Sequence, residues 1–309
     1  MERWSSVLKI PLIATSSNYY RVAASLCLSV SIALPSANAV FFHGDRVRDT
    51  GNTVIERLYD LRKVAEVIVS KFGNSVNAWV VEASVFNGPF AVYKDFVPLV
   101  NRYGEPTASY SPIGFPASSS IVYLLSSFLQ ESRVLKEGKD VYWRSSLADS
   151  PRTILLGFSK GGVVMNQFLS EMSSLDTNSA SEHEKIGTIP ASKDSFLKSI
   201  SEVHYIDVGL NSSGAYITDQ NVVQRISQRL TGGGGSSVSV FVHGTPRQWR
   251  DEQRGWIVKE KDELVRLLKS EGENSGGKLQ VHERFYFADR VPDLQMHFEI
   301  IDVMDVSSA

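Results

Sequence analysis

A serine lies between two glycines in the stretch Gly157-Phe158-Ser159-Lys160-Gly161, which fits the pattern G-x-S-x-G. Where this pattern is functional, a buried strand turns sharply into a helix and holds the serine hydroxyl out at the turn to attack an acyl carbon. An aliphatic run precedes the stretch and an apolar run with a helical period follows it. With 22 Gly and 42 Ser in 309 residues, chance alone gives about 0.2 such patterns, so other residues must support it.

A serine hydroxyl is a weak nucleophile until a histidine removes its proton and a carboxylate orients that histidine. In the fold that carries this pattern, both partners follow the serine along the chain. His297 lies 138 residues after Ser159 and just beyond the last predicted strand, where such a base belongs. We predict that His297 is the base; the alternative is that this histidine simply packs in an apolar C-terminal tail.

Two aspartates are candidates for the acid. Asp251 follows VSVFVHGTPRQWR and precedes a helical pattern, the usual place for this residue, whereas Asp207 in YIDVGLN ends the strand after the serine turn. Each also has a structural explanation, because Asp251 could cap a helix and Asp207 could form a turn. We favour Asp251, since the helix after it carries the chain away before the last strand returns with His297.

An oxyanion hole needs two backbone N–H groups aimed at the developing negative charge. The residue after the nucleophile, Lys160, would supply one of them at the positive end of its helix. The other should come from the loop after the first core strand, in Phe41-Phe42-His43-Gly44-Asp45. Gly44 lets the backbone approach a substrate closely, so Gly44 or Asp45 is the candidate.

The elements that must position these residues alternate between strand and helix. The predicted core strands are Ala39 to Phe42, Ala78 to Ala83, Thr153 to Phe158, Val203 to Val208, Val238 to Val242 and Leu279 to Phe287. The predicted helices are Val54 to Lys71, Ser118 to Leu129, Gly162 to Leu175, Asn221 to Leu230 and Arg254 to Lys269. Short apolar strands separated by amphipathic helices predict a doubly wound α/β fold with a mostly parallel sheet covered on both faces.

The length suits a single α/β domain over residues 1–309. Residues 84–117 carry five Pro and seven aromatic residues without a period, and we predict an irregular insertion near the pocket. Residues 1–38 have two interpretations. One is an antiparallel hairpin of Leu8 to Leu12 with Tyr19 to Leu28, and the other is a targeting peptide with Arg21, an apolar run and a small-x-small site at Ala39.

Composition excludes several function classes. The 32 Lys+Arg nearly balance the 34 Asp+Glu and are scattered, so we expect no nucleic-acid partner. The single cysteine, Cys27, rules out an internal disulfide and a multi-cysteine metal site. The chain has no dinucleotide fingerprint, P-loop or H-E-x-x-H motif, so we expect no cofactor and no metal. Nor does any stretch reach the ~18 uninterrupted apolar residues of a transmembrane segment.

Five segments carry a resemblance to a known family: FFHGDRV, LLGFSKGGVVMNQFL, HYIDVGLNSSGAYITD, HGTPRQWRDEQRGWIVKE and the terminal MHF. From about residue 40 onward the chain resembles an uncharacterised eukaryotic family of α/β-hydrolase-like proteins whose animal members are associated with mitochondria. The resemblance implies an α/β-hydrolase fold with Ser159, an acid and His297 as the triad, but it implies no substrate. Animal members have another residue where His43 stands, which argues against a catalytic His43.

The leading hypothesis is a serine hydrolase that acts on an ester, thioester or lipid-like acyl substrate through an acyl-enzyme. The alternative is an inactive hydrolase-like scaffold that binds a metabolite or a protein through the same cleft. Lys160 places a charge beside the nucleophile, two aspartates compete for the role of the acid, and fold alone does not fix function. The sequence identifies no protein partner. Targeting signals are ambiguous, and we expect a cytoplasmic, mitochondrial or other organellar location rather than secretion.

Overall fold

A twisted eight-stranded sheet forms the centre of the molecule. The structure is a computed structural model that describes residues 2–12, 18–28, 35–134, 151–175, 188–232 and 236–307. The strands are β1 (Glu2–Ile10), β2 (Tyr20–Leu28), β3 (Ala37–Phe42), β4 (Val76–Glu82), β5 (Val85–Asn87), β6 (Phe90–Val92), β7 (Arg152–Phe158), β8 (Ile200–Ile206), β9 (Val238–Gly244) and β10 (Leu279–Phe285). The sheet has the order β1-β2-β4-β3-β7-β8-β9-β10, while β5 and β6 pair separately as a short hairpin.

Strand direction divides the sheet into two parts. Strand β2 runs antiparallel to β1 on one side and to β4 on the other. The remaining neighbours, from β4 through β3, β7, β8 and β9 to β10, pair in parallel. The carboxyl ends of the parallel strands therefore meet along one edge of the sheet, which is where ligands bind in open α/β folds.

Helices cover both faces of the sheet. They are α1 (Thr53–Tyr59), α2 (Leu61–Phe72), α3 (Pro116–Val134), α4 (Gly162–Ser173), α5 (Lys193–Ser199), α6 (Gln220–Gly232), α7 (Pro246–Trp249), α8 (Trp256–Asn274) and α9 (Leu294–Val303). Apolar residues of α1, α2 and α9 belong to one buried cluster, and those of α3, α4, α5, α6 and α8 belong to the other. Strand β3 shows why two clusters form, because successive side chains point to opposite faces: Phe41 joins the first cluster and Phe42 the second.

The predicted sheet, with its parallel core and N-terminal antiparallel hairpin, is confirmed. The single helix predicted from Val54 to Lys71 is wrong, because Asp60 divides it. The Asp60 carboxylate accepts hydrogen bonds from the N–H groups of Arg62 and Lys63 and so caps a new helix, α2. Helices α5 and α9 were not predicted. Helix α9 matters most, because it carries His297.

The two strands of the N-terminal hairpin belong to the central sheet. Strand β2 pairs with β4 from Arg21 to Ser25, and its residues Val22, Ala24 and Leu26 are buried. Cys27 is buried as a free thiol. Along the part of the chain that the structure describes, no helix is both long and apolar enough to cross a membrane.

Deleting residues 1–35 should leave the protein aggregated, because it removes β1 and β2 and exposes the apolar edge strand β4 with Trp79 and Val81. Deleting residues 1–12 is the matched control. It removes β1 but keeps β2 on β4, so more soluble protein should remain. Soluble yield and thermal unfolding measure the difference, and a soluble, cooperatively folding 36–309 product would show that the hairpin is dispensable.

Candidate functional site

Ser159 lies at the sharp turn between strand β7 and helix α4. Its backbone φ is 52°, in the left-handed region that a non-glycine residue rarely adopts. Strand β7 ends at Phe158, the single 3₁₀ turn Ser159–Gly161 follows, and α4 begins at Gly162. Ser159 remains 7% exposed, in a protein where the strand before it is buried along nearly its whole length. The strained backbone thus holds the serine side chain at the carboxyl edge of the sheet.

The glycines around Ser159 are required by close packing. A Cβ at Gly161 would lie 2.2 Å from the carbonyl oxygen of Phe42, at the end of the neighbouring strand β3. One at Gly157 would lie 2.6 Å from Cγ of Met165 in α4. These distances are far below van der Waals contact. Glycine is therefore needed at both positions, because a side chain there would prevent the close approach of the strands and the helix.

The loop after β3 lies directly against the serine. A Cβ at Gly44 would stand 2.6 Å from Cβ and 3.1 Å from Oγ of Ser159. Next to it, the Oδ1 atom of Asp45 accepts a hydrogen bond of 2.8 Å from the N–H of Ala91 in the β5–β6 hairpin. Burial raises the pKa of Asp45. The loop predicted to face the serine therefore does so, and Asp45 anchors it to the hairpin.

Lys160 points into the protein rather than into solvent. Its ammonium Nζ donates to the carbonyl oxygen of Tyr103 at 3.1 Å and pairs with Oε1 of Glu105 at 3.0 Å, and both charged side chains are almost fully buried. Glu105 also accepts hydrogen bonds from the N–H of Asn211 and the hydroxyl of Ser212. Burial opposes ionisation of Glu105, but these hydrogen bonds and the Lys160 charge together lower its pKa.

His297 and Asp207 form a short hydrogen bond. The Nδ1 atom of His297 lies 2.6 Å from Oδ2 of Asp207. Because an ionised carboxylate can only accept, Nδ1 carries the hydrogen, and Nε2 is left as the basic nitrogen of the neutral ring. The imidazole packs on the ring of Phe158, with centroids 4.7 Å apart, directly beside Ser159 in the chain.

Thr245 also donates hydrogen bonds to the Asp207 carboxylate, independently of His297. It follows strand β8 with φ 44° and is completely buried. Its two carboxylate oxygens accept from Thr245, one from the backbone N–H at 2.7 Å and the other from the hydroxyl at 2.9 Å. On the histidine side, the Asp293 carboxylate caps α9 by accepting from the N–H of Met296. Both partners are therefore fixed by their own local structure.

Asp251 does not contact His297, and this corrects the preference drawn from the sequence. Its carboxylate accepts from the N–H of Gln253 at 2.9 Å and pairs with Nε of Arg254 at 2.8 Å. It therefore caps the 3₁₀ turn Glu252–Arg254, which is the structural explanation noted for it above. The hydrogen bond assigned to Asp251 is made by Asp207.

His43 lies behind the site and is a different kind of histidine. Its ring is completely buried, packs on Phe158 with centroids 5.7 Å apart, and has Nε2 3.3 Å from the carbonyl oxygen of Leu58. Burial lowers the pKa of His43 to about 4. This histidine is neutral at physiological pH and belongs to the core.

A cavity of about 240 Å³ opens at Ser159. Its lining residues come from the loop after β3, the β5–β6 hairpin, the serine turn, the loop after β8, the region of α7 and helix α9; they are Asp45, Val47, Pro89, Phe90, Phe158, Ser159, Lys160, Gly209, Asn211, Arg247, Gln248, Arg254, Leu294, His297 and Phe298. Ser159 and His297 thus face the same space. Across the described residues, no group of three or more His, Cys, Asp or Glu side chains could hold a metal ion.

The strand order, the serine turn at the end of β7 and the histidine after the last strand define an α/β-hydrolase fold. Within this class, a family model described as C2orf69 matches residues 130–274. That range includes Ser159, Asp207 and Asp251, whereas Gly44 and His297 lie outside it.

Curated animal proteins show the same similarity. The human "Mitochondrial protein C2orf69" is 26% identical over 286 residues, which cover 79% of this chain and 66% of the human protein. The mouse homolog is 25% identical and the Danio rerio homolog 23% identical, with 70% and 72% of their lengths covered. The resemblance inferred from the sequence motifs is therefore confirmed.

Solved structures with similar folds have very different sequences. A lipase/esterase from Lactobacillus plantarum is 10% identical, with a TM-score of 0.42 over 93% of this chain and 90% of its own. The BES protein from Bacillus cereus is 14% identical, with a TM-score of 0.47 over 92% and 88%. An IroE-like serine hydrolase from Shewanella oneidensis is 11% identical, with a TM-score of 0.43 over 97% and 78%.

Sequence reasoning missed Thr245 and Glu105. Thr245 precedes Pro246 at the end of β9, and threonine is a common residue at such a helix start, so nothing in the sequence linked it to Asp207. Glu105 lies in the segment predicted as an irregular insertion, 55 residues before its partner Lys160. An acidic residue in an aromatic, proline-rich segment was the available signal, but it did not identify the partner.

Replacing Lys160 with Met should lower the free energy of unfolding by roughly 3–5 kcal/mol, because it leaves the Glu105 carboxylate buried without its cation. The double variant Lys160→Met/Glu105→Gln should lose less, since no buried charge remains. The exposed pair Lys63–Glu66 supplies the control, and Lys63→Met should change stability by less than about 1 kcal/mol. Urea unfolding measures all three, and a double variant less stable than Lys160→Met would contradict the argument.

Proposed function

We propose that the protein is a serine hydrolase that cleaves an ester or thioester through a covalent acyl-enzyme. The observation that carries the proposal is the 2.6 Å hydrogen bond between His297 and Asp207, made at the cavity that Ser159 also lines. A histidine held by a buried carboxylate beside a serine on a strained turn is the arrangement that activates a hydroxyl. The turn at Ser159 is then a nucleophile elbow.

In the proposed reaction, Oγ of Ser159 attacks the acyl carbon while Nε2 of His297 accepts its proton. The imidazolium formed in this step is stabilised by Asp207, which keeps the Nδ1 hydrogen directed at its carboxylate. His297 then gives the proton to the leaving alcohol or thiol. Water attacks the acyl-serine with His297 again as the base, and the acid product leaves with free Ser159 restored.

Two backbone N–H groups would hold the oxyanion. The N–H of Lys160 belongs to the first turn after the serine, where helix N–H groups have no intrahelical acceptor. In the facing loop, the N–H groups of His43 and Arg46 are used by the carbonyl oxygens of Val81 and Pro89. The group from Gly44 or Asp45 is therefore the second donor in this proposal, and the close approach of Gly44 to Ser159 supports it.

The buried Lys160–Glu105 pair supports the first donor. It fixes the residue after the nucleophile to the loop at Tyr103 and, through Glu105, to the backbone of Asn211. A donor that is fixed before the reaction costs no reorganisation when charge develops. We further infer from the names of the animal relatives that this protein acts in mitochondria, and we propose that residues 1–309 act as one domain on a small-molecule or lipid acyl substrate.

A fluorophosphonate probe should label the purified protein at Ser159, because the probe reports an activated serine hydroxyl. Intact-mass and peptide analysis would locate the modification. Ser159→Ala should abolish the labelling, and Ser170→Ala, which changes a buried serine on the neighbouring helix α4, is the matched control that should retain it. Folded protein that stays unlabelled would instead favour the inactive scaffold.

Asp207→Asn should slow labelling by roughly 10²- to 10⁴-fold. The N–H of Thr245 should hold the amide oxygen and leave the amide nitrogen, a donor, facing Nδ1 of His297, which favours the wrong tautomer. Asparagine tolerates the positive φ at this position, so the fold should remain. Asp251→Asn is the control with equal charge loss, and it should label at nearly the normal rate because asparagine caps a helix as well as aspartate does. A slower Asp251→Asn variant would return the acid role to Asp251.

A further inference from the structure

The cavity at Ser159 is lined by three cationic side chains, and two of them already have carboxylate partners. Lys160 is paired with Glu105, and Arg254 is paired with Asp251. Arg247 remains. Through all the residues that the structure describes, no carboxylate forms an ion pair with it, and its buried Nε atom has no hydrogen-bond partner.

Arg247 lies close in sequence to a residue that binds Asp207, and it lines the same cavity as Ser159 and His297. It lies in the short helix α7, two residues after Thr245, whose N–H and hydroxyl bind the Asp207 carboxylate. Burial lowers the pKa of Arg247, and the charge of Arg254 lowers it further. A guanidinium nevertheless remains protonated at neutral pH, so its unpartnered donors carry a desolvation cost that a bound anion would relieve.

The next residue supplies a second polar group without a partner. Gln248 is buried, lines the same cavity, and its Oε1 atom has no hydrogen-bond partner among the described residues. Because the oxygen and nitrogen of a glutamine amide exchange places by a simple flip, this side chain can present an N–H to the cavity. After such a flip, Gln248 would present a donor next to the unpartnered Nε of Arg247, and two adjacent donors suit an oxyanion.

We infer that Arg247, with Gln248, binds a carboxylate carried by the substrate, so that the hydrolase acts on short acyl esters or thioesters whose acyl group ends in a single negative charge. The inference rests on the proposed hydrolase function. A guanidinium matches a carboxylate with two parallel hydrogen bonds. The volume of about 240 Å³ lies below the ~300–1,000 Å³ of drug-sized sites, which favours a short acyl chain.

Charge balance selects a carboxylate over a phosphate. One unpartnered cation neutralises one negative charge, and the remaining lining residue with a carboxyl group, Asp45, would repel a second. A dianionic phosphate would therefore keep an uncompensated charge in a confined space. A monoanionic carboxylate brings one negative charge fewer into the same space.

Two esters with the same leaving group and four-carbon acyl groups test the inference. Monoethyl succinate carries the terminal carboxylate and ethyl butyrate does not, and ethanol release reports both reactions. The normal protein should prefer monoethyl succinate. Arg247→Gln should reduce kcat/KM for monoethyl succinate by roughly ten- to one-hundred-fold, mainly through KM, and by at least ten-fold more than it reduces kcat/KM for ethyl butyrate.

Two further variants separate charge from geometry. Arg247→Lys keeps the charge but loses the planar fork, so its preference for monoethyl succinate should be intermediate. Arg266→Gln removes an arginine charge from the exposed surface of α8, outside the cavity, and should leave the preference unchanged. Equal turnover of both esters by the normal protein, or an equal loss on both esters in Arg247→Gln and Arg247→Lys, would overturn the inference.

Binding without turnover separates this inference from the proposed function. Calorimetry on Ser159→Ala should detect monoethyl succinate, and adding Arg247→Gln should weaken that binding. If the probe fails to label the protein but monoethyl succinate binds through Arg247, the hydrolase proposal fails and the anion site stands. If labelling succeeds without Arg247-dependent binding, the anion site alone is lost, and tighter binding of inorganic phosphate would overturn the choice of a carboxylate.

Discussion

The hydrogen bond between the buried carboxylate of Asp207 and Nδ1 of His297 joins two parts of the chain that lie 90 residues apart. Burying a carboxylate without hydrogen-bond partners costs free energy, and the donors of Thr245 and the imidazole offset that cost for Asp207. The same contacts determine which ring nitrogen of His297 is free. The end of β8, the start of α7 and helix α9 are therefore held together by one charge, and residues near these three elements line part of the cavity.

A second buried charge arranges the opposite side of the cavity. The Lys160–Glu105 pair connects the serine turn to the loop before α3 and to the residues after β8. Buried ion pairs contribute little net stability compared with apolar packing, but breaking one by removing a single partner is costly, so this pair opposes separation of the segments it joins. The two buried networks, one on each side of Ser159, leave Arg247 as the lining cation without a carboxylate partner in the described structure.

Periodicity and motif spacing predicted the sheet, the turn at Ser159 and the facing loop at Gly44, because these features depend on local patterns of apolar residues and glycines. Local patterns did not identify the carboxylate that orients His297. Asp207 and Asp251 both follow strands and both fit turns or caps, and the choice between them depends on side-chain directions at φ 44° and on Thr245, which no local pattern encodes. The sequence predicted a role for the backbone N–H of Lys160 but not the burial of its side chain. That burial depends on the ion pair with Glu105, which lies in a segment without a regular hydrophobic pattern.

Helix α9 packs against α1 and α2, and Lys71 of α2 donates to the carbonyl oxygens of Asp302 and Met304 near its end. In the order of synthesis, α9 follows every strand of the sheet, whereas its partners on this face are among the first elements made. Such distant pairings form late, because the entropy of closing a long loop must be overcome first. A growing chain therefore carries Ser159 and Asp207 for some time without His297, and the site is assembled only once α9 has docked.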